Sequence, residues 1–308
     1  MYVRGTNFVA QSTRVQQVPG RAALNRATPD RAAGSLPGVT EDLLSRLERF
    51  YDAVPRDRAA VERHGTFELF LNQGTPYPFY ARPVLGGPPP TAADLAAVRA
   101  RQRELGQPES FEWVDQTTPG LLPIAEAAGL SVLRAPLLVL DPARLADPGD
   151  TARIVAAAAP DAAALLAAVA AVAQVGFGAP GTTTGDGGPA ERDAALKLPD
   201  ESALARQLDD IRSGVRAYAY AELPGQGIVA SGISQRAGDV AEIAGVATLP
   251  AARRRGLAGA VTALLARQAL EHGVRTVFLS AASDDVARVY ERQGFDRVAT
   301  ACIAEPAA

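Results

Sequence analysis

The chain has 308 residues, of which 47% are hydrophobic and 21% charged, and its net charge is −3. That supplies core material for about two domains and leaves no basic surplus for nucleic acid or an anionic membrane surface. A single cysteine, Cys302, excludes an internal disulfide and a cysteine metal cluster, and two histidines, His64 and His272, argue against a histidine-rich metal site. Lys197 is the only lysine by count, so lysine chemistry is confined to one position. The heavy use of Ala, Gly and Arg matches a high-GC bacterial coding sequence. Pro160 and Asp161 interrupt the alanine-rich run at 154–173, which therefore reads as soluble elements and not a membrane span.

In chain order, residues 1–36 show little periodicity and form an expected flexible N-terminal segment. They lack the apolar stretch of a secretory signal, so a cytoplasmic location is expected. Thr40 or Asp42 caps a predicted helix running to about Ala53, with Leu43, Leu44, Leu47 and Phe50 at helical spacing. Strands are predicted at 66–72 and 79–85, around the turn residues Gly74-Thr75-Pro76 and Pro78. A helix at 92–105, a short strand at 111–114, a helix at 119–128 and a strand at 132–140 follow. The break at 141–150, with two prolines and a glycine, is the expected domain boundary. A second series begins with a strand at 152–157 and an Ala-rich helix at 160–175. The Gly-, Pro- and Thr-rich stretch at 176–190 reads as a mobile loop, a candidate substrate-side lid. A helix at 201–213 and strands at 215–222, 227–234 and 239–248 come next. A helix at 256–272, a strand at 275–280, a helix at 284–292 and a strand at 296–303 complete the chain.

One stretch carries chemistry. Val240-Ala-Glu-Ile-Ala-Gly-Val-Ala-Thr-Leu-Pro-Ala-Ala-Arg-Arg-Arg-Gly-Leu-Ala258 is a strand, a Pro-containing turn, then a basic glycine loop that opens a helix. Free N–H groups at a helix start attract anions, the helix dipole adds to this, and Gly256 allows close approach of a phosphate. No Gly-Lys-Ser/Thr follows, so this is not a P-loop, and the spacing does not match the dinucleotide fingerprint. Charge and backbone point to a phosphate or pyrophosphate, with a solvated Arg cluster as the bland alternative.

Arg253-x-x-Gly256-x-Ala258, following a strand that ends Val246-Ala-Thr248, resembles the acyl-CoA loop of the GNAT N-acetyltransferase superfamily. Ala287-x-x-Tyr290-x-x-x-Gly294-Phe295 resembles that family's second signature, and the order of elements from 152 to 303 is similar too. The resemblance implies an acetyl-CoA-dependent N-acetyltransferase. Val246, Ala247 and Thr248 would pair with the pantetheine arm. The N–H groups around Arg254, Arg255, Gly256, Leu257, Ala258 and Gly259 would hold the pyrophosphate, Arg253 would add positive charge beside it, and Asp284 stands at a further CoA-side position where the family often has Asn. Glu242, eleven residues before Arg253, stands where some members carry a general base. Tyr290 stands where many place the hydroxyl that protonates the leaving thiolate. The implied partners are acetyl-CoA and a small-molecule or peptide amine, with no metal, nucleic acid or membrane. A non-catalytic acyl-CoA-binding or sensor protein is the alternative.

The first half echoes the second. A strand at 111–114, a helix, then Gly129-Leu130 and a strand parallel a strand at 277–280, a helix, then Gly294-Phe295 and a strand. The interval from Gly129 to Gly294 is 165 residues. Applied to the basic loop it lands on Pro88-Pro89-Pro90-Thr91-Ala92-Ala93, which has no arginine or glycine and three residues without an N–H. Applied to Tyr290 it lands on Ala125. The expected class is therefore α+β, with two GNAT-like domains, each a mixed, mostly antiparallel sheet flanked by helices. The first, at 37–145, would be degenerate and the second, at 150–308, active. On that division, a fragment of residues 145–308 should keep CoA binding and show reduced acceptor turnover.

Overall fold

The computed structural model describes residues 41–72 and 80–307, so the expectations for 1–36 and for the turn at 74–78 fall outside the described residues. Helix α1 (Glu41–Arg56) leads into β1 (Ala59–His64), β2 (Phe67–Asn72) and β3 (Ala81–Pro83). Next come α2 (Ala92–Glu104), β4 (Phe111–Val114), α3 (Leu121–Ala127) and β5 (Leu130–Leu140). The second half comprises β6 (Ala152–Ile154), α4 (Ala162–Gly178), α5 (Pro189–Ala195), α6 (Glu201–Arg212), β7 (Arg216–Leu223), β8 (Gly227–Ala237) and β9 (Val240–Thr248). It ends with α7 (Leu257–Glu271), β10 (Thr276–Ser280), α8 (Asp284–Glu291) and β11 (Phe295–Pro306). Strand β1 and helix α5 are absent from the sequence reading. The burial of β1 alternates while its composition, Ala-Ala-Val-Glu-Arg-His, lacks the apolar alternation that would announce it. Helix α5 begins at a proline directly after a glycine run.

The echo between halves is structural. Ala92 and Leu257, Phe111 and Thr276, and Leu130 and Phe295 begin corresponding elements 165 residues apart. Yet the two halves do not form two sheets. All described strands join one sheet in the order β1-β2-β3-β4-β11-β5-β10-β9-β8-β7-β6. The last strand of each half has crossed into the other. β11 lies antiparallel to β4 through Ala301–Ala304, and β5 lies antiparallel to β10 through Leu137–Val139. The two exchanged strands pair with each other from Phe295↔Leu140 to Pro306↔Leu130. The break at 141–150 is therefore a crossover and not a seam between independent sheets. Arg144 pairs with Asp296 at 2.7 Å, and Arg267 with Asp147 at 3.3 Å, tying the crossover to the second half.

Helix α1 also belongs to both halves. Its Leu47, Phe50 and Tyr51 pack with Val114, Leu137, Val240, Phe278 and Val298, which come from β4, β5, β9, β10 and β11. Phe50 and Tyr51 meet the Phe278 ring edge-on, with centroids 5.0 and 5.4 Å apart. Arg46 donates to the Thr276 hydroxyl at 3.1 Å. Arg58, just past the helix, forms a two-pronged ion pair with Asp210 of α6 at 2.7 and 2.8 Å. The remaining apolar side chains form one large core between α4, α7 and strands β6–β10, and a smaller one around Trp113, Phe67 and Phe111. Among the described residues no helix is long and apolar enough to cross a membrane.

Candidate active site

The site begins where two strands part. β9 and β10 run parallel and pair from Thr276↔Val240 only as far as Phe278↔Glu242. Beyond Glu242, β9 keeps β8 on one side and has no strand on the other. Its register with β8 slips between Ser231 and Ile233, and Gly245 lies there with φ +61°. A left-handed residue in a bulge sharpens the local twist, which turns β9 away from β10. The gap opens into a cavity of about 760 Å³ lined by Ile243–Thr248 on one wall.

The floor of that cavity is the start of α7. Gly256 caps the helix at φ +78°, and Arg254 stands at φ +67°, a conformation few non-glycine residues adopt. The first helical bond runs from the Ala260 N–H to the Gly256 carbonyl at 3.0 Å, so Leu257, Ala258 and Gly259 keep their N–H groups without helical acceptors. Arg254, Arg255 and Gly256 are exposed at the mouth. Bare donors, the positive end of a helix dipole and two free guanidinium groups make an anion cradle. The structure thus brings Val246, Ala247, Thr248, Arg254, Arg255, Gly256, Leu257, Ala258 and Gly259 together around one groove.

Arg253 borders the same groove but its charge is used elsewhere. Its guanidinium donates to the carbonyls of Thr248 at 3.3 Å, Thr183 at 3.0 Å, Gly176 at 2.9 Å and Ala179 at 2.5 Å. It clamps the end of α4 and the following loop to the end of β9. That corrects its expected place beside a phosphate. The loop itself is corrected too. Gly185 donates to the Pro250 carbonyl at 3.2 Å and Ala251 to that of Gly187 at 2.9 Å, so the stretch read as a mobile lid is pinned to the turn before α7. Arg253→Met should lower unfolding stability by roughly 2–3 kcal/mol in urea titration, because several carbonyls lose a charged donor at once. Unchanged stability would deny the clamp.

Tyr290, on α8, borders the groove, is 7% exposed and has its ring edge-on to Phe295 at 6.4 Å. Burial pushes its phenol well above the usual range, so the hydroxyl stays protonated. Ser283 caps α8 by accepting from the Val286 N–H at 3.4 Å. Asp284 departs from expectation. It pairs with Arg297 at 2.5 Å and lines a different cavity, while its neighbour Asp285 faces the groove. The reason is the helix period, which swings successive side chains about 100° apart. Arg288, which is paired with Asp285, and Arg292 also line the groove and are not among the expected site residues. Their place one helical turn around from Asp285 and Val289 was the available signal.

Glu242 is the last paired residue before the gap, and only 2% of it is exposed. Its side chain lies on the α1 face of the sheet and borders neither large cavity. Burial and the negative charge of Glu112 push its carboxyl up to about 8, against the opposing pull of Arg82 and a hydrogen bond from the Tyr51 hydroxyl. The other singled-out residues are structural. His64 meets Glu62 at 3.2 Å, His272 meets the Gln268 carbonyl at 2.7 Å at the end of α7, and Cys302 is buried in the small core. Among the described residues no group of three His, Cys, Asp or Glu is placed to hold a metal.

The second, larger cavity, of about 1320 Å³, occupies the corresponding place in the first half, beside Pro88–Pro90 and Thr117–Gly120. There β3 and β4 share only the Ala81↔Phe111 pair. No anion cradle stands there among the described residues. The prolines offer no N–H, Thr91 accepts from the Asp94 N–H at 3.1 Å, and the Asp94 carboxylate occupies the helix start.

Residues 191–295 match the model of the family described as Acetyltransferase (GNAT) family. No curated protein sequence matches the chain. A GCN5-related N-acetyltransferase from Kribbella flavida superposes with a TM-score of 0.63 at 22% identity, covering 86% of this chain and 96% of that one. A GCN5-related N-acetyltransferase from Sphaerobacter thermophilus gives 0.52 at 14% identity, covering 83% and 86%. A functionally unknown conserved protein from Staphylococcus epidermidis gives 0.51 at 15%, covering 83% and 96%. At these identities the likeness is one of fold, and it extends over both halves of the chain. Strand parting, helix-start cradle and the match of residues 191–295 to the acetyltransferase (GNAT) family model coincide in the second half.

Proposed function

We propose that the chain moves an acetyl group from acetyl-CoA to an amine by direct attack in its second half. The observation that carries this reading is the continuity of one groove. The unpaired edge of β9 from Ile243 to Thr248 runs into the free N–H groups at the start of α7. An extended pantetheine arm can pair with the first, and a pyrophosphate can accept from the second. Arg254, Arg255 and Arg292 add positive charge along it, while Arg288 is paired with Asp285.

In the reaction the amine nitrogen forms a bond to the thioester carbonyl carbon. The carbon–sulfur bond breaks, and its electron pair leaves with the CoA sulfur. Glu242 takes the proton that the attacking nitrogen must lose, directly or through water, and a carboxyl near 8 is matched to that task at neutral pH. Tyr290, kept protonated by burial, gives its proton to the thiolate. The acceptor is a small-molecule or peptide amine.

Burial of Glu242 favours a second reading, an acyl-CoA binder or sensor without transfer. Calorimetric binding of acetyl-CoA, run beside thiol release across a panel of amines, separates the two. Binding with release supports transfer, and binding without release from any amine supports the sensor. Arg254→Glu should weaken acetyl-CoA binding by roughly tenfold, since reversing one exposed charge near a diphosphate costs about 1–2 kcal/mol. Tyr290→Phe should leave binding intact and lower turnover. Normal binding in the first variant and normal turnover in the second would discard the assignments.

A further inference from the structure

Glu242 belongs to the second half by sequence, yet much of its polar environment comes from the first. On α1, the Tyr51 hydroxyl donates to the Glu242 carboxylate. The guanidinium carbon of Arg82, on β3, lies 4.7 Å from the centre of the Tyr51 ring. Arg82 is in turn held by Glu48 of α1 at 2.8 Å, and Glu48 accepts from the Thr117 hydroxyl at 2.6 Å and from the Val114 N–H at 3.3 Å. Glu112 of β4 lies close enough for its charge to act on both Glu242 and Tyr51. Tyr80, just before β3, adds a second phenol near Arg82 and Tyr51. From the second half, Gln235 of β8 is the cross-strand neighbour of Glu242, and Phe278 of β10 is its apolar neighbour. Tyr51, Arg82, Glu112 and Glu242 are all buried.

Buried charges are retained only where they are paired and hydrogen-bonded, and one missing member leaves the rest exposed to the full desolvation cost. This cluster holds three carboxyl groups and one guanidinium. It is therefore arranged so that the protonation of one carboxyl depends on the others. The first half has lost its own anion cradle, but it has kept the charges that face the one carboxyl at the parting of β9 and β10.

We propose that Tyr51, Arg82 and Glu112 are positioning residues through which the first half controls when Glu242 is ionised, and so when the site in the second half can accept a proton. This rests on the reading of Glu242 as the base. Tyr51 and Arg82 favour the carboxylate, and Glu112 favours the acid. Removing them should therefore move the titration of Glu242 in opposite directions, which general damage to the fold would not do.

The test uses the full chain with carbon-13-labelled glutamate carboxyl groups, followed by NMR across pH, with the Glu242 signal assigned by its loss in Glu242→Gln. Glu112→Gln should move the Glu242 midpoint below its wild-type position, and Tyr51→Phe should move it above. Each unit of movement changes the ionised fraction below the midpoint about tenfold, and the acid limb of the kcat/KM profile should follow. Arg82→Met should act like Tyr51→Phe, and the proposal does not depend on that variant folding. A midpoint unmoved in either Glu112→Gln or Tyr51→Phe, or moved the same way in both, overturns the proposal. Failure of the base reading looks different. Glu242→Gln would then turn over normally while the opposed shifts persist.

Discussion

A fragment of residues 145–308 should be unfolded or insoluble and should not bind acetyl-CoA. This reverses what the sequence division implies, and the exchange of final strands is the reason. Cutting before residue 145 removes β4 and β5 together, and these are the two neighbours of β11. β11 would lose every partner along Phe295–Pro306, and β10 would lose the edge that Phe278–Ser280 present to β5. Removing α1 also bares Val240, Phe278 and Val298. Each large side chain returned to water costs about 1.5–3 kcal/mol, against a total stability of roughly 5–15 kcal/mol for an ordinary fold. Circular dichroism and proton NMR of the fragment test this directly. Co-expression with residues 1–144 should recover a folded pair that binds acetyl-CoA. A fragment that unfolds cooperatively and binds as tightly as the whole chain would show the exchange to be dispensable.

Glu242→Gln should lower turnover by roughly a hundredfold or more, the usual contribution of a positioned general base, with acetyl-CoA affinity nearly unchanged. Gln keeps the shape and still accepts from Tyr51, so packing is preserved while the proton acceptor is lost. In the wild type, kcat/KM should rise with pH up to about 8, because the carboxyl is protonated below that point and cannot take a proton. Glu242→Gln should lose this limb. A variant with full activity and an unchanged profile would remove Glu242 from the chemistry and leave it as part of the buried cluster.

Local patterns made much of the second half legible. The helix start at Gly256, the strand ending at Thr248 and the tyrosine near the end of α8 are set by short-range spacing, and the structure gathers Val246–Thr248, Arg254–Gly259 and Tyr290 around one groove. The interval of 165 residues was visible for the same reason, since repeated elements keep their lengths. Where side chains point within those elements was less visible. Arg253 and Arg254 are neighbours of the same type, but one turns inward to four carbonyls and the other faces solvent. Asp284 and Asp285 part company in the same way around a helix.

What the sequence alone determined is the chemistry available: a basic helix start after a strand, one glutamate and one tyrosine at telling distances, and a scarcity of Cys, His and Lys. Tertiary structure decided which half completes which. Strand pairing is non-local, and nothing in residues 130–140 or 295–306 states that each will cross to the other half's sheet. The same is true of burial. The affinity of Glu242 for its proton is set by Tyr51, Arg82 and Glu112, between 130 and 191 residues away along the chain, because in a low-dielectric interior a charge responds to what is near in space.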